Sequence, residues 1–117
     1  MEFSIEKEIC QTPKFTVAIF KLRGILDQSS LKLFEVTVHE AYHAKINRVI
    51  FNLAQLASIN SSGIGLLINI AHQAQIGGGA ICFIQVPQKF KLMFELLGLE
   101  SRFLCYPDKE SAITSWK

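Results

Sequence analysis

Apolar residues along this chain alternate between two periods. From Phe3 to Ile9 they fall on every second position. Phe3 and Ile5, with Lys7 and Ile9, take one side, and Ser4, Glu6 and Glu8 the other, which predicts a half-exposed edge strand. Gln11-Thr12-Pro13 marks a turn. Phe15 to Leu22 is a more apolar strand, so the two predict an antiparallel hairpin. Gly24 breaks that strand. Asp27, Ser29 and Ser30 then offer N-caps for a helix from about Ser29 to Lys45, with an apolar stripe of Leu31, Phe34, Val38, Ala41 and Tyr42. Asn47 to Leu53 is short and β-branched, as a buried strand is. After it, Ile64, Leu67, Ile68 and Ala71 return to three- and four-residue steps and predict a helix from Ser61 to Ile76. Gly77-Gly78-Gly79 stops that helix.

The last third repeats the alternation. Ala80 to Val86 predicts a fourth strand, and Pro87 starts a helix whose Phe90, Met93, Phe94 and Leu97 face inward. Gly98 ends it, with Leu99 placed for a Schellman contact. Arg102 to Tyr106 predicts a fifth strand. Pro107-Asp108 opens a final helix that packs through Ala112, Ile113 and Trp116. The order is β-β-α-β-α-β-α-β-α. This is an α/β fold with a mixed sheet of about five strands and about four helices, parallel in its later part, the helices mainly over one layer.

Composition narrows the function classes. The 117 residues suit one domain, residues 1–117, and with half of them hydrophobic, nine Phe included, a packed core is expected. Twelve basic and ten acidic residues lie scattered, with no basic run or stripe, so neither nucleic acid nor an anionic membrane is an expected partner. No apolar run is long enough for membrane insertion. The opening Met1 to Glu8 is mixed and charged, unlike a signal peptide. Cys10, Cys82 and Cys105 are odd in number and far apart, as reduced thiols in a cytoplasmic protein would be.

The candidate chemistry gathers at Ala57 to Gly65, Ala-Ser-Ile-Asn-Ser-Ser-Gly-Ile-Gly, between a strand and a helix. Asn60, Ser61 and Ser62 are each able to cap the helix, so two hydroxyls stand at the positive end of its dipole. A phosphate placed there needs no refolding, yet changes the local charge by about −1.5 to −2. On a helical wheel Ser62, Leu66, Asn69 and Gln73 share one stripe, opposite Ile64, Leu67, Ile68, Ala71 and Ala74. That puts Leu66 on the outer face, as an apolar partner contact one turn from the serines.

Other motifs weigh against catalysis. Gly77-Gly78-Gly79 precedes a strand and lacks a following Lys-Ser/Thr, unlike a phosphate-binding loop. No Gly-x-Ser-x-Gly surrounds Ser61. His39-Glu40-Ala41-Tyr42-His43 matches the zinc-peptidase pattern H-E-x-x-H. Yet Val38 and Ala41 on the buried stripe turn both histidines to solvent, and His72, the remaining histidine, lies on another helix. A zinc metallopeptidase is therefore the remote alternative, and no metal or other cofactor is expected.

With this order in hand, four motifs resemble those of the STAS domain, the fold shared by anti-sigma factor antagonists and the cytosolic tails of sulphate transporters. Gly24-Ile25-Leu26-Asp27 resembles the family's Gly-x-Leu-Asp. Ile59 to Gly65 resembles its phosphorylation loop, Asp-Ser-Ser/Thr-Gly-Leu-Gly. Phe94 to Leu99 resembles its helix ending in Gly-Leu, and Asp108 to Ala112 the start of its last helix. The resemblance spans essentially the whole chain. It implies a bacterial anti-sigma factor antagonist of the cytoplasm, a phosphoprotein of stress-response transcription regulation. Such a protein binds an anti-sigma factor that is also a serine kinase and so frees a sigma factor. Phosphorylation at Ser61 would end the binding, and a serine phosphatase would restore it. Asp27, Asn60, Ser62, Gly63, Leu66 and Asn69 are then the expected partner-binding residues. Asn60 and Asn52 stand where the family usually has Asp, which keeps capping ability but removes a charge. The alternative within the fold is a STAS subunit of a transport or signalling scaffold, in which the serine is only a cap.

Overall fold

A computed structural model describes residues 2–116; Met1 and Lys117, the ends of the expected domain, lie outside the described residues. A five-stranded sheet runs in the order β1 (Ser4–Gln11), β2 (Thr16–Leu26), β3 (Arg48–Ile59), β4 (Ala80–Ile84) and β5 (Cys105–Tyr106). Strands β1 and β2 are antiparallel and every later pair is parallel. The helices are α1 (Leu31–His43), α2 (Ser61–Ile76), α3 (Gln88–Leu96) and α4 (Lys109–Thr114), in the predicted order.

Strand alternation sorts the side chains into two cores. Phe20, Phe51 and Phe83 point to one face, where Phe34 and Val38 of α1, Leu67 and Ile70 of α2, and Phe90 and Phe94 of α3 cover them. Ile19, Ile50, Cys82 and Ile84 point to the other face, beneath Ala112 and Ile113 of α4. So α4 stands alone across the sheet. The three cysteines are free thiols. Burial, with a smaller contribution from Cys105, pushes the Cys82 thiol up to about 12.

Several boundaries move for identifiable reasons. Gly24 does not end β2 but sits inside it, at φ +86°, beside shifts in the β2–β3 register. A Cβ there would stand 2.5 Å from the Glu2 carbonyl oxygen, so the glycine marks a bulge and a close backbone approach. Beyond it β2 and β3 stay paired as far as Leu26 and Ile59. Helix α1 stops at His43, because Lys45 turns left-handed at φ +64° and Ile46 donates its N–H to the Ala41 carbonyl at 3.0 Å. Gly98 ends α3 in the same way, with the buried Leu99 donating to Phe94 at 2.8 Å. Leu97, expected inside, is instead 54% exposed, since Leu99 fills the apolar contact of that cap. Arg102 and Phe103 fold back in a turn onto the Leu99 carbonyl, which leaves β5 only two residues long.

Candidate functional site

The site is built where β2 and β3 end side by side. Leu26 and Ile59 are register partners, so the residues that follow them, Asp27 and Asn60, emerge together. The Asn60 N–H donates to the Leu26 carbonyl at 3.2 Å and locks the two strand ends. Asn60 keeps an extended backbone, and its Oδ1 accepts from the Gly63 N–H at 3.0 Å. Its own carbonyl accepts from Ile64 at 3.0 Å. One residue thus turns strand into helix and caps the helix. The loop expected between Leu53 and Ser61 shrinks to Asn60 alone, because β3 runs on to Ile59, while α2 begins at Ser61 as expected.

Ser61 is the first residue of α2 and is exposed; Ser62 beside it is half-buried. The cap is made by the Asn60 side chain. The exposed stripe of α2 continues through Gly65 and Asn69, at i+4 and i+8 from Ser61. Gly65 has no atom within 4 Å of where a Cβ would sit, so this stripe is flat and open one turn from the serine.

Two expected contact residues are corrected. Leu66 is 8% exposed and belongs to the main core, not to an outer face. It lines a groove of about 520 Å³ between α1 and α2, with Val36, Val38, Tyr42 and Ile70. Helix α2 packs against α1 as well as the sheet, so its buried arc is wider than a one-sided wheel allows. Gly63 is also buried, and a Cβ there would stand 2.4 Å from the Leu26 carbonyl oxygen. It shapes the site from beneath and offers no side chain to a partner.

Asp27 caps the turn Gln28–Ser30 that leads into α1. Its Oδ1 accepts from the Ser29 hydroxyl at 2.6 Å and the Ser29 N–H at 2.9 Å, while its own N–H donates to Ser30 Oγ at 2.9 Å. The Ser29 hydroxyl, followed by the backbone donors, holds the carboxyl below its ordinary range. Any stabilisation from this cap is therefore present above the ordinary Asp value and is lost as pH falls through the lowered one.

Sequence reasoning passed over two residues here. Gly65 was legible as the position four after Ser61. Lys89 was not: its Nζ reaches back across 32 residues to the Ala57 carbonyl at 2.6 Å, which brings a cation to the same end of β3. Asn52 lies off the site, 6% exposed in mid-strand, its Oδ1 accepting from the Ala54 N–H at 2.9 Å. His39 and His43 stand exposed on α1, and no group of three or more metal-ligating side chains occurs among the described residues.

The cap yields a direct prediction. Asn60→Ala is expected to cost about 1 kcal/mol in urea unfolding, by removing the acceptor for Gly63. Asn60→Asp keeps that acceptor and adds a charge favoured by the helix dipole, so it should match or exceed the parent by up to about 1 kcal/mol. Equal stability for Asn60→Ala and the parent would show that the cap contributes nothing.

A family model described as the STAS domain matches residues 7–112. Among solved structures, the anti-sigma factor antagonist SpoIIAA in its unphosphorylated form shares 18% identity, with 95% of this chain and 96% of that one covered and a TM-score of 0.74. The Bacillus cell fate determinant SpoIIAA in its phosphorylated form aligns over 97% of this chain and 100% of that one, at 18% identity and TM-score 0.73. A candidate anti-sigma factor antagonist from Thermotoga maritima gives 19% identity, 93% and 92% coverage, and a TM-score of 0.80. At these identities the likeness establishes the fold. No helix among the described residues is long and apolar enough to cross a membrane.

Proposed function

We propose that this chain, which belongs to the STAS domain family, acts as a cytoplasmic anti-sigma factor antagonist whose docking face is switched by phosphorylation of Ser61. The observation that carries the reading is the position of Ser61: exposed, at the first turn of α2, beside a cap that Asn60 supplies with its own side chain. The helix end tolerates a phosphate, because the N-terminal dipole favours negative charge by about 0.3–1 kcal/mol. The backbone need not move. What changes is the face presented outward, Ser61, Gly65 and Asn69, with Asp27 beside it.

In the unmodified state this face docks on the partner, an anti-sigma factor that is also a serine kinase, and the displaced sigma factor is freed. Phosphate adds about −1.5 to −2 charge and a strongly hydrated group in the middle of the contact. Desolvating that group opposes docking, so the complex parts until a serine phosphatase removes it. The chain is a binding module and a kinase substrate; ATP belongs to the partner. That both SpoIIAA forms share this fold agrees with a switch that alters a surface and leaves the core alone.

Incubation with the partner kinase and ATP is expected to add one phosphate by intact mass, and none to Ser61→Ala. Ser61→Asp should weaken binding by tenfold or more, while Ser61→Ala binds as the parent does. A partner that binds tightly, yet neither phosphorylates the chain nor distinguishes Ser61→Asp, would overturn the switch and leave a STAS scaffold subunit with a capped helix. Asn60 in place of the family's usual Asp is the feature that favours this second reading.

A further inference from the structure

We infer that His39 and His43 form a two-imidazole chelate for a first-row transition metal ion on the exposed face of α1, a binding site and not a catalytic one. The two residues stand at i and i+4, one above the other on the helix. Their ring centroids are 4.5 Å apart and the ring planes lie 87° from each other. With metal–nitrogen bonds of about 2.1 Å, each centroid sits about 3.2 Å from the ion, so two rings bound about 90° apart around it stand about 4.5 Å apart. The helix therefore already holds the ring separation that a cis chelate requires.

The surroundings favour a cation. Glu35, one turn before His39, lines the same groove as His39, and Glu40 lies between the two histidines in sequence. The remaining coordination positions face solvent, since both rings are exposed. Two imidazoles with open positions suit Cu²⁺ best, followed by Ni²⁺ and Zn²⁺, in the usual affinity order for nitrogen ligands. Peptidase chemistry is a separate matter: a catalytic zinc site uses three protein ligands, and this one has two. The inference stands apart from the phosphorylation reading, because α1 and its histidines are not part of the Ser61 face.

The test uses untagged protein titrated with Cu²⁺ or Ni²⁺ alone, followed by calorimetry and by melting with and without a chelator. One metal ion per chain is expected, together with a rise in melting temperature that the chelator reverses. His39→Ala and His43→Ala should each weaken binding by about tenfold or more, because each leaves a single imidazole and removes the second, effectively intramolecular contact. His72→Ala, on α2, should bind as the parent does. So should Cys10→Ser/Cys105→Ser, which removes the partly exposed thiols that could compete. Parent-like binding by both single histidine variants overturns the site, as does loss of binding in the cysteine or His72 variants. All these variants lie at exposed or half-exposed positions, and a melting curve of each without metal confirms that it is folded.

Discussion

Gly63→Ala is expected to destabilise the protein by about 2–4 kcal/mol, against the usual preference of a helix for alanine. A Cβ at this position would sit 2.4 Å from the Leu26 carbonyl oxygen, 2.9 Å from Ile59 Cγ2 and 3.0 Å from Leu26 Cγ. The first contact decides the sign. That carbonyl belongs to the backbone and already accepts the Asn60 N–H, so it cannot swing aside as a flexible side chain would. Either α2 lifts from the ends of β2 and β3, or the Asn60 cap opens. Both separate the site from the sheet that positions it. Gly65→Ala supplies the control. It lies in the same helix, two residues on, with nothing within 4 Å of the added methyl, and should stabilise by about 0.5–1 kcal/mol. Urea unfolding of the pair checks both signs. Equal shifts in one direction would mean that the helix does not seat on Leu26 as described. Gly65→Ala carries a second reading as well: if the Ser61–Gly65–Asn69 face docks flat on a partner, the methyl should weaken binding while the fold gains stability.

Phe51→Ala is expected to cost about 3–5 kcal/mol, the range for removing a buried ring without collapse of the cavity. Phe51 is fully buried on β3, the central strand of the sheet. Its ring lies 5.8 Å from Phe20, 5.4 Å from Phe34 and 5.6 Å from Phe83, so it joins two neighbouring strands and α1 in one aromatic cluster. Phe83 carries the cluster on to Phe94 and Phe103 at 5.6 and 5.0 Å. Each such pair adds about 0.5–1.5 kcal/mol beyond burial, which places the loss toward the upper end. Against a stability of about 5–15 kcal/mol for an ordinary domain, the loss is a large fraction of the total. A fall in the urea midpoint at unchanged slope is the expected result. A loss under about 1 kcal/mol would mean that the cavity refills, and that the rings are not packed as the distances imply.

The element order was legible in the sequence because each element carries its own short-range signal. The period-two run in β1, the denser apolar run in β2, three- and four-residue steps in α1 and α2, and Pro87, Gly98 and Asp108 as end markers each report backbone geometry within a few residues. The same holds for the site's core feature: Asn-Ser-Ser before an apolar helix is a capping signal, and the cap is there. Failures occurred where a residue's meaning depends on a neighbour distant in sequence. Gly24 looked like a break, since nothing local tells that β2 continues past a bulge against β3. Leu66 looked exposed, since a wheel drawn for a helix on a sheet knows nothing of α1 alongside. Helical spacing separates Gly63 from Gly65, but only the Leu26 carbonyl beneath Gly63 makes it a position that admits no side chain, while Gly65 admits alanine.

By itself, then, the sequence determined the α/β class, the order of strands and helices, and a serine at a helix start, because these rest on local propensity and period. Tertiary structure decided which face of α2 is open, which glycine is fixed, and that Asp27 and Asn60 emerge together, because those depend on β2, β3, α1 and α2 meeting in space. Steric exclusion at 2.4 Å and burial against a second helix arise only at that meeting.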